Sequence, residues 1–352
     1  MNRLSFCGIA VLLFGAAGLV AQTPAAAPEL TPQQLAARAK AYQAPQIPIE
    51  SVPNFIKLPA GMYLGESMGV ATNSKGHVFV FNRNGESSRL FEFDQTGAFV
   101  HEIGRNSYAF AMAHAVRVDS QDNIWTVDEG TNTVVRWNAA DQRPDLILGR
   151  RHEFAEGLIP TALPVPPAQH YGFNRPTDIA WDKAGNIFIA DGYTNARVAK
   201  FDKNGVFVKS WGSSGTDPGQ FNILHSIATD AAGNVYVGDR TNARIQVFDN
   251  NGTFKTMYLN VGSPWAICIT PGPHQYLYSS NSNGTGDFEH NGEIYKMELD
   301  GRILGKFGKP GKLLKEFGSV HEIDCRNDNE LLVGEITNWR VQKLSLHPAQ
   351  AR

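Results

Sequence analysis

Three histidines carry most of the chemistry legible in this chain. His114, His225 and His321 each stand where a copy of an internal repeat begins its innermost strand. The other copies carry Met68, Thr177 and Trp265 at that point, so histidine occupies alternate copies. With the copies arranged around an axis, three imidazoles converge on one point. That is the ligand set of a catalytic zinc centre with an open position. A lone histidine at a strand start is usually a satisfied, partly buried residue. Three in alternate register, in a chain with 10 histidines among 352 residues, are hard to obtain by chance. Other polar residues sit where the second strand of a copy ends: Arg83, Asp128, Tyr193, Arg240 and Glu335. Arg83 and Arg240 could clamp a carboxylate in bidentate fashion. Tyr193 could serve as a base if a metal and guanidinium groups lower its pKa. Asp191 and Asp239 recur in register with Asn195, Arg197, Asn242 and Arg244, and read as a structural skeleton.

The elements that must position these groups come from the repeat itself. Its pattern is an apolar strand, a D-x-x-G-N turn, a second strand, then D-x-x-N-x-R-V and a third strand. Two copies are nearly identical, 178–212 and 226–259, and a third spans 115–138. Weaker copies lie at 69–104, 263–308 and 322–346. Each holds four short alternating runs separated by Gly, Asn and Asp turns. Six copies of four strands predict an all-β, six-bladed β-propeller. The repeats resemble NHL repeats, whose G-N-[IV]-[YF]-V-x-D-x-x-N-x-R-[IV] core is visible at 185–198 and 233–245. Residues 55–64 are expected to help close the ring. The Pro-rich insert 151–173 reads as a loop between blades two and three.

The N-terminus has Arg3, an apolar run from Ile9 to Val20 and small residues after it, which predicts a signal peptide over 1–21 and an exported protein, periplasmic or secreted. Residues 22–52, rich in Ala, Pro and Gln, read as a tether, with a short helix starting at Thr31. The propeller is then expected over 53–348. Of three cysteines, Cys7 would leave with the signal. Cys268 and Cys325 could pair in an oxidising compartment, although two buried thiols are the plainer reading. A formal net charge of -2 argues against a nucleic-acid or membrane-surface partner.

At this point the chain resembles the peptidyl-α-hydroxyglycine α-amidating lyases. The matching stretches are MAHAVRVDSQDNIWTVD (112–128), RPTDIAWDKAGNIFIADGYTNARV (175–198), PGQFNILHSIAT (218–229), GDRTNARIQVF (238–248) and VHEID (320–324). The resemblance implies zinc held by His114, His225 and His321, a general base at Tyr193, and active-site arginines at Arg83 and Arg240. It also implies a structural calcium on Val70, Val116 and Glu322, where glutamate stands for the family's aspartate. The family's two disulfides are absent here, with Thr194 and Val247 at two of their positions, and no copper-monooxygenase domain accompanies the propeller. The implied reaction cleaves a carbinolamide N–C bond, giving an amide and glyoxylate, from a small-molecule or C-terminal peptide substrate bearing a carboxylate. A monomer is expected. Two other readings stay open: a propeller metalloenzyme acting on a different small substrate, and a non-enzymatic propeller that binds a peptide or protein on one face.

Overall fold

Short alternating runs between tight turns leave each repeat one economical arrangement, an antiparallel meander. The computed structural model describes residues 31–85, 87–151, 168–282, 292–327 and 329–347. It contains six four-stranded sheets. The first strands are Glu66–Thr72, Ala113–Val118, Asp178–Trp181, Leu224–Thr229, Ile267–Ile269 and Val320–Asn327. Each touches the first strands of both neighbouring sheets, so together they line one axis and the expected six-bladed propeller is present. Second strands such as Ile187–Asp191 and Val235–Asp239 are buried throughout, because adjacent blades cover both faces, and the others have one partly exposed residue at most. Ala115, Trp125 and Val127 of one blade, for example, pack with Ile179, Ile189 and Phe201 of the next.

Ring closure differs from expectation. Ile49–Ser51, assigned to the tether, pairs antiparallel with Arg340–Leu346 as the outer strand of the last blade. Residues from both ends of the chain therefore share one sheet, which closes the circle through backbone hydrogen bonds. Phe55 supplies no strand there, but it belongs to the cluster that joins Val80, Phe91 and Phe93 of blade one to Leu332 and Val341 of blade six, and Lys343 lies over its ring, so it packs at the closing seam. The helix predicted from Thr31 is present as Pro32–Tyr42. Thr31 and Gln34 form a reciprocal capping box, with Pro32 in the first turn. It is docked on the ring: Ala41 is buried beside Tyr258 and Tyr295, and the Gln34 side-chain amide donates to the Asn242 carbonyl. The expected signal peptide lies outside the described residues, as do residues 152–167 of the insert. No helix among the described residues is long and apolar enough to cross a membrane.

The two thiols are joined. Cys268 and Cys325 form a disulfide between the innermost strands of blades five and six, with Cα atoms 6.0 Å apart. Sequence could not show that proximity, because 57 residues separate the pair.

The aspartates of the repeat do the structural work expected of them. Asp191 accepts from the Asn174 amide, the Asn195 side chain and Arg197 Nε. Arg197 then reaches the Gln169 and Gly172 carbonyls in the loop ahead of the innermost strand. Asp239, Asn242 and Arg244 repeat this in blade four, where Arg244 holds the carbonyls of Thr216, Asp217 and Gln220. Asp128 and Glu335, grouped with the channel-mouth residues on sequence, belong to the same class: their carboxylates accept loop amides at Ala111 and Gly318.

Candidate metal centre

The loops fixed by this skeleton feed directly into the histidines. In blades two, four and six the pairing register slips by one residue, between Ala113 and Ala115, Leu224 and Ser226, and Val320 and Glu322. The extra residue of each bulge is His114, His225 or His321. A bulge turns one side chain out of the alternation of its strand, and here it sends an imidazole to the axis. The ring centroids form a near-equilateral triangle with sides of 4.7, 4.6 and 4.8 Å.

Odd blades supply the support. His225 Nδ1 lies 2.7 Å from the Trp265 carbonyl, and His321 Nδ1 lies 2.7 Å from the Met68 carbonyl. Met68 and Trp265 are the residues that stand at the histidine position in blades one and five. The third such residue, Thr177, has its backbone near His114, but neither nitrogen of that ring has a hydrogen bond of acceptable geometry. Nδ1–H donated to a carbonyl fixes the tautomer that leaves Nε2 with a free lone pair. Nε2 of His225 and both nitrogens of His114 are buried without a hydrogen-bond partner among the described residues. One donor atom from each of the three rings lies within 4.8 Å of the others. Burial pushes the three imidazoles below their ordinary value, His321 to about 3. They are thus neutral near pH 7, the form that binds a metal. Unpaired buried nitrogens cost about 1–3 kcal/mol each, a penalty that a shared metal ion removes. The three residues could hold one.

A polar mouth lies over this ring. Tyr193 packs edge-on against His114 and His225, with centroids 5.6 and 6.0 Å away. Its placement depends on Gly192: a Cβ there would meet the Leu224 carbonyl oxygen at 1.6 Å. Arg240 lies over Trp265 and Tyr193, 4.6 and 5.5 Å from the ring centroids, and its Nη1 donates to the phenol oxygen at 3.4 Å. Burial raises the Tyr193 pKa, while Arg240, Arg175 and Arg83 act in the opposite sense. Arg83 also points to the mouth, but it is engaged. Its Nε donates to the Ala113 carbonyl at 2.8 Å, and its Nη2 to Glu129 Oε1 at 2.6 Å. The structure therefore brings His114, His225, His321, Tyr193, Arg83 and Arg240 together, and adds Glu129 and Arg175, which the sequence reading missed. His170 is remote, stacked on Phe207 in the outer strand of blade three.

Arg117 is turned into the axial channel and engages Glu322, the acidic residue of the expected calcium set, together with Asp178. Its Nη2 lies 2.5 Å from Glu322 Oε1 and 2.7 Å from Asp178 Oδ2, and its Nε donates to Asp178 Oδ1 at 3.0 Å. Nη1 donates to the Ile323 carbonyl at 3.1 Å. Of the expected set Val70, Val116 and Glu322, the acidic member is thus ion-paired with Arg117 in this structure.

The NHL repeat family matches residues 221–248. Peptidyl-glycine alpha-amidating monooxygenase A of Xenopus laevis is 30% identical over 298 residues, which cover 80% of this chain and 30% of that protein. Peptidyl-alpha-hydroxyglycine alpha-amidating lyase 1 of Drosophila melanogaster is 28% identical over 289 residues, covering 73% of this chain and 48% of the fly protein. This chain is a homologue of the amidating lyases. It spans less than half the length of either relative. Among solved structures, a gluconolactonase from Xanthomonas campestris superposes with a TM-score of 0.56 at 17% identity, over 86% of this chain and 98% of that one. That likeness speaks for the propeller alone.

Proposed function

We propose that this homologue is a zinc-dependent carbon–nitrogen lyase. It acts on carbinolamides of the peptidyl-α-hydroxyglycine type, and splits R–CO–NH–CH(OH)–COO⁻ into R–CO–NH₂ and glyoxylate. The observation that carries the reading is the bulge-borne ring of three buried, neutral histidines beneath a phenol and two cationic side chains. The lyase relatives support the general kind of reaction.

His114, His225 and His321 would hold the zinc, which when bound supplies Lewis-acid polarisation of the substrate hydroxyl. Tyr193 stands beside the ring; as the phenolate, which a bound zinc with Arg240 and Arg175 would favour against the effect of burial, it would accept the hydroxyl proton as the C–N electrons leave on nitrogen. The same phenol would then return a proton to that nitrogen, so hydrogen and charge balance. Arg240 has no acidic partner among the described residues and would bind the carboxylate, orienting the hydroxyl toward the histidines. The cleft walls made by Trp265 and Tyr193 would exclude water, which keeps the charged contacts strong. An export address is part of the proposal, supported by the Cys268–Cys325 disulfide, since such bonds persist in oxidising compartments.

From α-hydroxyhippurate, the protein is expected to give benzamide and glyoxylate in equal amounts. Tyr193→Phe should retain its metal and lower kcat by about 10²–10⁴-fold, with a smaller change in KM. A Tyr193→Phe protein as fast as wild type would remove the tyrosine from the mechanism.

A further inference from the structure

Arg83 is a weaker candidate for the substrate clamp, because its Nε and Nη2 are hydrogen-bonded inside the protein and its Nη1 faces an acid. Besides Ala113 and Glu129, its Nη1 faces Glu66 Oε2 at 3.6 Å. Glu129 is 2% exposed at its side chain and has one further oxygen, which holds Arg175 through Nε at 3.1 Å and Nη2 at 2.8 Å. Arg175 differs from Arg83 in three ways. Its side chain is 46% exposed, so it meets the solvent at the mouth. Its guanidinium carbon sits 4.4 Å above the Tyr193 ring, with Arg240 5.5 Å from the same ring. Its Nη1 has no bonded partner among the described residues.

The backbone at this residue is specialised as well. Arg175 has φ of 60°, a region that a side chain of this size seldom occupies. The conformation is held from both sides: its amide donates to Asn132 Oδ1 at 2.6 Å, and its carbonyl accepts from the Tyr193 amide at 3.3 Å. Position and orientation of Arg175 and Tyr193 are therefore coupled through the chain itself. The corresponding residues of the other blades are Glu66, Met112, Ile223, Ser263 and Ser319, none of them basic.

We infer that Arg175, together with Arg240, forms the carboxylate-binding pair of the site and sets its preference for substrates bearing a carboxylate on the reacting carbon. Glu129 is a positioning residue that locks Arg83 and aims Arg175. This rests on the lyase reading for its reaction, but the anion pair itself does not depend on turnover.

The test compares two probes and two readouts. Hippurate binding, followed by titration calorimetry on the zinc-loaded protein, should weaken about 30- to 100-fold in Arg175→Gln. Arg175→Lys should recover part of that affinity. With α-hydroxyhippurate, Arg175→Gln should raise KM by a similar factor. With N-(hydroxymethyl)benzamide, which has the carbinolamide but no carboxylate, the loss in kcat/KM should be about tenfold smaller than with α-hydroxyhippurate. Equal losses on both substrates, or unchanged hippurate affinity, would overturn the assignment. Hippurate binding that depends on Arg175 in a protein without lyase activity would uphold the anion pair and sink the lyase reading instead.

Discussion

His225→Ala is expected to empty the metal centre and to lower glyoxylate release by on the order of 10³-fold or more. A one-residue bulge between Leu224 and Ser226 turns this side chain to the axis. The Trp265 carbonyl fixes its Nδ1, which leaves Nε2 facing His114 and His321. Burial keeps it neutral. With one donor gone, two histidines remain on opposite sides of a gap, too few to compete with water and buffer for zinc. Metal analysis of the dialysed protein should show near-stoichiometric zinc in wild type and little in the variant. A circular dichroism spectrum like that of wild type would show that the blades are intact. Full zinc and full activity in His225→Ala would mean that the ring is not the centre.

The second large effect concerns stability. Arg117→Met is expected to cost about 3–5 kcal/mol, because it leaves buried carboxylates without their counter-charge. Arg117 sits in blade two but bonds Asp178 of blade three and Glu322 and Ile323 of blade six. Asp178 in turn accepts from the Ile227 amide of blade four at 3.0 Å. One guanidinium thus joins several blades at the axis, where an ion would otherwise do the same work. The midpoint of urea denaturation should fall accordingly. Adding calcium to chelator-treated wild type should not raise its own midpoint, since the charge is built in. A clear stabilisation of wild type by calcium, or an Arg117→Met protein as stable as wild type, would contradict this account.

How much of this could be read from the residues depends on how local each signal was. The repeat fixed the strands and turns, because D-x-x-G-N and D-x-x-N-x-R each describe bonds closed within one blade. The histidine ring was legible for a different reason: equivalent positions in a ring of blades face one axis, so register stands in for distance. Glu129 was within reach of the same reasoning. It follows Asp128 as Arg240 follows Asp239 and as Arg83 follows Asn82, so the three share a register. Arg175 was not, since it lies in a loop ahead of a strand and depends on a left-handed backbone that its residue type does not announce. The disulfide and the pairing of Ile49–Ser51 with the last blade are contacts between distant segments, which no local pattern encodes. Arg117 illustrates a further limit. The ligand positions carried over from the family are present, but the ion pair that Arg117 makes with the acidic one joins segments far apart in the chain.

The central claim is that a metal held by the histidine ring drives carbinolamide cleavage, and the most direct test is glyoxylate release from α-hydroxyhippurate by the purified protein before chelation, after it, and after zinc is returned. The account predicts release that stops on chelation and recovers with one equivalent of zinc per chain. Release that persists in fully chelated protein, or its absence from protein carrying stoichiometric zinc, would contradict it.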